Sequence, residues 1–71
     1  MDDHYRTLGV APTADDAVIR AVYVELMKRF HPDRNASDET LRRSQAINEA
    51  YAVIGDPRRR AAYDEERAGL Q

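Results

Sequence analysis

The chain has 71 residues, 42% hydrophobic and 34% charged, a balance typical of one soluble globular domain rather than a disordered segment. Its 13 acidic residues outnumber its 11 basic ones, and the net charge of −2 disfavours a protein whose main task is to coat nucleic acid. Because there is no cysteine, disulfides and thiolate metal sites are excluded. No apolar run approaches a membrane span, and the acidic N-terminus lacks the pattern of a secretory signal. We therefore expect one cytoplasmic domain, too small for an enzyme pocket of its own.

Glycine and proline residues divide the chain into four segments. None of the segments shows the period-two alternation of a strand, and the first, about residues 5–8, has room for only a turn or two of helix. The composition and the positions of the glycine and proline residues therefore predict an all-α fold. The breaks fall at Gly9 and Pro12, at Pro32, and at Gly55 and Pro57.

The second segment has the clearest helical pattern. Asp15 and Asp16 stand where a helix favours a capping side chain and negative charge, and Pro32 ends the pattern. Val24 is the one large apolar residue predicted to face outward. The inward stripe comprises Ile19, Val22, Tyr23, Leu26 and Phe30, and the outward face comprises Arg20, Ala21, Val24, Glu25 and Lys28.

The third segment is predicted to begin near Ser37 or Asp38 and to end at Gly55. Its predicted inner face comprises Ile47, Ala50, Tyr51 and Ile54, with Leu41 toward one edge. A short fourth helix should start with Asp56 as cap and Pro57 at its first position.

The two long helices should pack as an antiparallel hairpin joined by a loop around residues 31–37, with the short helices over the seam. We expect one domain over residues 1–71, with a core at about 3–65 and a tail at 66–71. The chain can equally be a module of a longer protein.

The loop at the tip of this hairpin concentrates unusual chemistry in the run His31, Pro32, Asp33, Arg34 and Asn35. In a random sequence, a solvated turn whose polar side chains cap the next helix would be the expected interpretation. An acid–base pair lacks a nucleophile and a pocket. A metal site that also used His4 lacks recognisable ligand spacing.

Several runs along the chain resemble the J-domain, the module that defines DnaJ-type co-chaperones. The resemblance covers nearly the whole chain, and its most specific element is the tripeptide His31, Pro32 and Asp33 between two helices of these lengths. The other matching runs are residues 3–10, 19–23, 34–35, 47–51, 56–57 and 60–64.

The resemblance implies a co-chaperone with no catalytic residue, metal or cofactor of its own. Such a domain binds the ATP-loaded DnaK-class chaperone (the heat-shock protein 70 family) and stimulates ATP hydrolysis, with Asp33 offering its carboxylate to an arginine of the chaperone. No nucleic acid or membrane contact is expected from this segment. The partner-binding residues that it implies are Arg20, Tyr23, Val24, Lys28, His31, Pro32, Asp33, Arg34 and Asn35.

Three residues depart from the family pattern. Val24 and Glu25 stand where most members carry lysine or arginine, and Ser44 stands where a phenylalanine usually packs, a gap that Leu41 could partly fill. These departures favour an alternative, a J-like interaction or scaffold module with weakened stimulation of the chaperone.

The run of arginines at residues 58–60 is a pattern found in nucleic-acid-binding sites. The net negative charge of the chain disfavours that interpretation. We expect Arg60 to pack back onto the hairpin, and Arg58 and Arg59 to be solvated.

Overall fold

The computed structural model describes residues 3–31 and 37–69, and within these ranges the chain is four helices without a strand. The helices are α1 (His4–Leu8), α2 (Asp16–Arg29), α3 (Asp38–Ile54) and α4 (Pro57–Gly69). The all-α prediction is confirmed. No helix of the described ranges combines the length and the apolar character that a membrane crossing needs.

The first three helices begin at polar side chains that accept hydrogen bonds from otherwise unpaired backbone N–H groups. The predicted start of α2 is confirmed, and of the two starts considered for α3 the structure selects Ser37 as the cap. These bonds join Asp3 to Tyr5 and Arg6, Asp15 to Val18, and Ser37 to Thr40.

Contacts between α2 and α3 run in opposite sequence order, so the two helices are antiparallel. The Tyr23 ring stacks on the Tyr51 ring with centroids 3.9 Å apart and planes 8° from parallel. The Tyr23 hydroxyl donates a hydrogen bond to Asn48 Oδ1 at 2.7 Å. Toward the other end of the pair, the Arg43 guanidinium lies 5.2 Å from the centre of the Phe30 ring. The predicted hairpin is therefore confirmed.

Helix α3 is the central element, since it packs against each of the other three helices. Three of the four residues predicted for its inner face, Ile47, Ala50 and Ile54, are buried, and Tyr51 is half-buried against them. On α2, Ile19 is fully buried, and the rest of its predicted stripe packs on the core. The buried hydrophobic core comprises Tyr5, Leu8, Ile19, Ile47, Ala50, Ile54 and Tyr63.

The prediction that Leu41 could partly fill the gap at Ser44 is wrong, because Leu41 is 46% exposed and does not pack against the core. The inward line of α3 begins at Thr40 and continues through Ser44 to Ile47. Leu41 lies one position past Thr40, about 100° further around the helix, and so points away from the core. Two small polar side chains, rather than an apolar one, occupy this end of α3.

Helix α4 is longer than the short segment predicted from the sequence, because it continues through residues 66–69, where a tail was expected. The Arg67 guanidinium forms an ion pair with Asp3 at 3.0 Å and lies over the rings of Tyr5 and Tyr63, 5.1 and 5.7 Å from their centres. The end of α4 is thereby attached to the start of the chain.

Arg60 packs back onto the rest of the domain, as predicted. Its guanidinium donates hydrogen bonds to the backbone carbonyls of Pro12 and Ala14 and to Asp16 Oδ1, the last at 3.0 Å. Its Nε donates to the Tyr5 hydroxyl at 3.1 Å, and this bond is the main cause that raises the pKa of Arg60. One side chain therefore joins α4 to α1 and to the loop before α2.

The Tyr5 hydroxyl also donates a hydrogen bond to the Asp64 carboxylate. Burial is the largest cause that raises the pKa of Tyr5, and the bond to Asp64 acts in the same direction. The phenol therefore stays protonated at neutral pH and keeps its donor role toward α4.

Gly55 ends α3 as predicted, but not through a left-handed conformation, because its φ is −81°. A Cβ at this position would lie 2.5 Å from the Tyr51 carbonyl oxygen and 2.7 Å from Cε1 of its ring. The Tyr51 ring is held against Tyr23 and has little freedom to withdraw. Residue 55 is therefore glycine because Tyr51 approaches its backbone too closely to leave room for a Cβ atom.

We expect Gly55→Ala to lower the free energy of unfolding by about 2 kcal/mol, because the added methyl group overpacks against Tyr51. Gly69→Ala is the matched control, since nothing lies within 4 Å of a Cβ there. Alanine at residue 69 should be neutral or slightly stabilising. Urea unfolding of both variants checks this, and equal stabilities would contradict the steric explanation.

Candidate partner-binding surface

The outward face of α2 carries most of the described candidate residues. Arg20, Val24 and Lys28 follow one another at intervals of four residues, which places their side chains along one side of the helix. All three are exposed, whereas Ile19 is buried on the opposite side against the core. The predicted division of α2 into an inner and an outer face is confirmed.

Val24 lies between two shallow grooves whose walls are mainly apolar. The first groove is lined by Asp16, Ala17, Arg20, Ala21, Val24 and Glu25. The second is lined by Tyr23, Val24, Met27, Lys28 and His31. The structure therefore brings five of the predicted partner-binding residues, Arg20, Tyr23, Val24, Lys28 and His31, onto one continuous surface, which we call the α2 surface.

The charges of the α2 surface are partly compensated within the domain. Lys28 Nζ lies 3.7 Å from Glu25 Oε1, although both side chains are largely exposed and the pair is weak. Asp16 is paired with Arg60 at 3.0 Å. In residues 3–31 and 37–69, Arg20 forms no ion pair. Arg20 therefore remains the uncompensated cation of the first groove.

Tyr23 belongs both to the hairpin and to the α2 surface. Its ring stacks on Tyr51, and its hydroxyl donates to Asn48, while its outer edge lines the second groove. Tyr23 therefore combines a packed ring with a hydroxyl that is hydrogen-bonded at the surface. The partnership with Asn48 was missed, because nothing in the local pattern links residues 25 positions apart.

His31 follows the end of α2 and is exposed beside the second groove. The other predicted residues of the tip, Pro32, Asp33, Arg34 and Asn35, lie outside the described residues. Their roles therefore stay predictions from the sequence. The structure places His31 with Tyr23 and Val24 in the lining of the second groove, so the first residue of the tripeptide belongs to the α2 surface.

Ser44 is buried near the tip of the hairpin, where its hydroxyl donates to the Leu41 carbonyl at 2.9 Å. About two turns earlier, the Ser37 hydroxyl donates to Thr40 Oγ1 at 2.8 Å. These local bonds satisfy the buried hydroxyl groups of Thr40 and Ser44. Ser44 is therefore buried with its hydroxyl bonded within its own helix.

No group of three or more histidine, aspartate or glutamate side chains is arranged to hold a metal ion within the described ranges. Arg58 and Arg59 are exposed at the start of α4, in line with their predicted solvation.

The fold is a small all-α domain in which α1 and α4 pack against the hairpin formed by α2 and α3. A family model of the DnaJ domain matches residues 3–64. The chain therefore belongs to the DnaJ domain family, which confirms the resemblance inferred from its motifs.

Proteins with related sequences come from several bacteria. The chain is 47% identical over 64 residues to the chaperone protein DnaJ of Deinococcus proteolyticus, covering 89% of this chain and 21% of the relative. It is 48% identical over 63 residues to the chaperone protein DnaJ of Lacticaseibacillus casei, covering 89% and 16%. A curved DNA-binding protein of Pseudomonas putida is 45% identical over 65 residues, covering 92% and 20%. The chain thus spans about a fifth of the length of these curated relatives.

Proposed function

We propose that this domain binds the ATP-loaded form of a DnaK-class chaperone and stimulates its ATP hydrolysis, thereby assisting protein folding. The observation that carries the proposal is the DnaJ domain match over residues 3–64, which spans His31, Pro32 and Asp33 in sequence between α2 and α3. The domain acts as a binding partner and supplies no catalytic group or cofactor.

Stimulation by a partner without catalytic groups requires differential binding. The domain must bind the hydrolysis-competent arrangement of the chaperone more tightly than the resting arrangement. Equal affinity for both would leave the populations of the two arrangements unchanged. A tenfold acceleration corresponds to about 1.4 kcal/mol of such a difference. In the proposed mechanism Asp33 supplies much of it through a charge-assisted, bidentate hydrogen bond with an arginine of the chaperone.

The α2 surface sets the orientation of the complex. Arg20 and Lys28 provide positive charge that can attract a carboxylate of the chaperone, while Tyr23 and Val24 provide apolar contact. Arg34 and Asn35 extend the contact beyond the tripeptide. The surface and the tip therefore have separate roles, the first in docking and the second in stimulation.

The direct test is single-turnover ATP hydrolysis by a DnaK-class chaperone of the same organism, with increasing concentrations of the domain. We expect saturable acceleration of roughly tenfold or more, and tighter binding to the ATP-bound chaperone than to the ADP-bound form. Circular dichroism of the same sample checks that the domain is folded. No acceleration by a folded domain at high concentration would contradict the proposal.

A second candidate function is an interaction module that keeps the fold but stimulates the chaperone weakly. It is favoured by exposed, apolar Val24 and by Glu25, whose carboxylate partly offsets the charge of Lys28. Ser44, buried near the tip, adds a further change. Binding to the chaperone without acceleration in the same assay would select this alternative.

A further inference from the structure

Val24 is the exposed hydrophobic side chain best placed to contact a partner. The large hydrophobic residues that remain exposed in the described part of the chain are Val18, Val24 and Leu41, at 46%, 44% and 46%. Val24 lines both grooves of the α2 surface, whereas Val18 and Leu41 line neither of them. An apolar side chain of a partner that packed on Val24 would lie between the two grooves. It would therefore lose its contact with water on both sides.

The charges around Val24 determine which partner surface fits. Asp16 is paired with Arg60, and Glu25 lies beside Lys28, so both carboxylates of the first groove face a cation of their own domain. Arg20 has no such counter-charge within residues 3–31 and 37–69. The exposed carboxylate of Glu25 would repel a dense acidic strip, whereas a single carboxylate beside Arg20 would be attracted.

We propose that Val24 is the apolar anchor of the chaperone contact, and that the partner presents an apolar side chain opposite Val24 and one carboxylate beside Arg20. This inference rests on the proposed function and adds the chemistry of the partner surface. Contact through the α2 surface is then mainly hydrophobic, so its affinity depends only weakly on salt. DnaK-class chaperones that present acidic side chains in place of the apolar one are discriminated against.

The test compares Val24→Ala with Val18→Ala, in binding to the ATP-bound DnaK-class chaperone and in stimulation of its hydrolysis. Val18 is a matched control, because it is the same residue type on the same helix with nearly the same exposure, but it lines neither groove. We expect Val24→Ala to weaken binding roughly fivefold, because it removes two methyl groups that are already half-buried in the free domain and gain only part of their burial in the contact. Val18→Ala should bind as the wild-type domain does.

Val24→Lys separates an apolar partner surface from an acidic one. We expect this variant also to bind more weakly than wild type at low salt, because the lysine loses the apolar contact and meets no carboxylate. The inference would be overturned if Val24→Lys bound more tightly and with a stronger dependence on salt, or if Val24→Ala and Val18→Ala bound equally well. In either case, stimulation by the wild-type domain would leave the proposed function intact. Absence of binding and stimulation by folded wild-type domain would overturn both.

Discussion

Asp33→Asn is expected to abolish stimulation of ATP hydrolysis while the domain keeps its helical content. Asparagine preserves the size of the side chain but removes the charge that we propose pairs with an arginine of the chaperone. Loss of one partner of a desolvated, hydrogen-bonded ion pair costs about 3 kcal/mol, which corresponds to a reduction of roughly a hundredfold. His31→Gln should give the same loss of stimulation if the tripeptide acts as a unit. Single-turnover hydrolysis with circular dichroism on the same samples measures both effects.

Asp38→Asn is the matched control for this prediction. Asp38 is an exposed carboxylate in the first turn of α3, only five residues further along the chain. Its replacement should lower stability by less than about 1 kcal/mol, through the helix dipole, and leave stimulation unchanged. Full activity of Asp33→Asn would exclude the proposed role of the tripeptide, and equal losses in both variants would point to a nonspecific effect of charge.

Arg60→Met is expected to lower the free energy of unfolding by about 3 kcal/mol, the largest loss of stability among the variants considered. The side chain is only 15% exposed and bonds to Tyr5, to Asp16 and to backbone carbonyls of the α1–α2 loop. Methionine keeps much of the apolar stem but removes the donor to the Tyr5 hydroxyl and to the Ala14 carbonyl, which are partly buried. In a domain of this size the melting temperature should fall by roughly 12–24 °C.

Arg59→Met provides the comparison for Arg60→Met. The Arg59 side chain is 65% exposed, and it lies 4.0 Å from Asp56 in a weak surface pair. We expect its replacement to change the unfolding free energy by less than about 0.5 kcal/mol. Thermal and urea unfolding of the two variants measure the difference. Similar stabilities for both would mean that the bonds of Arg60 contribute little to the fold.

The sequence alone predicted the features that depend on residues three or four positions apart. The Asp15 cap of α2, the buried line of Ile47, Ala50 and Ile54, and the outward direction of Val24 all follow from helical periodicity and local capping. The candidate site was predicted through the resemblance, whose tripeptide lies in one continuous run. Pro32 and Asp33 lie outside the described residues, so their roles remain predictions.

Tertiary structure decided what depends on residues far apart in the chain. The extension of α4 past residue 65 relies on Arg67 meeting Asp3, 64 positions away, and the exposure of Leu41 depends on where the inward line of α3 begins. The need for glycine at Gly55 arises from the Tyr51 ring, which Tyr23 holds in place from another helix. Periodicity and capping act within a turn or two of helix, whereas these outcomes depend on packing between helices.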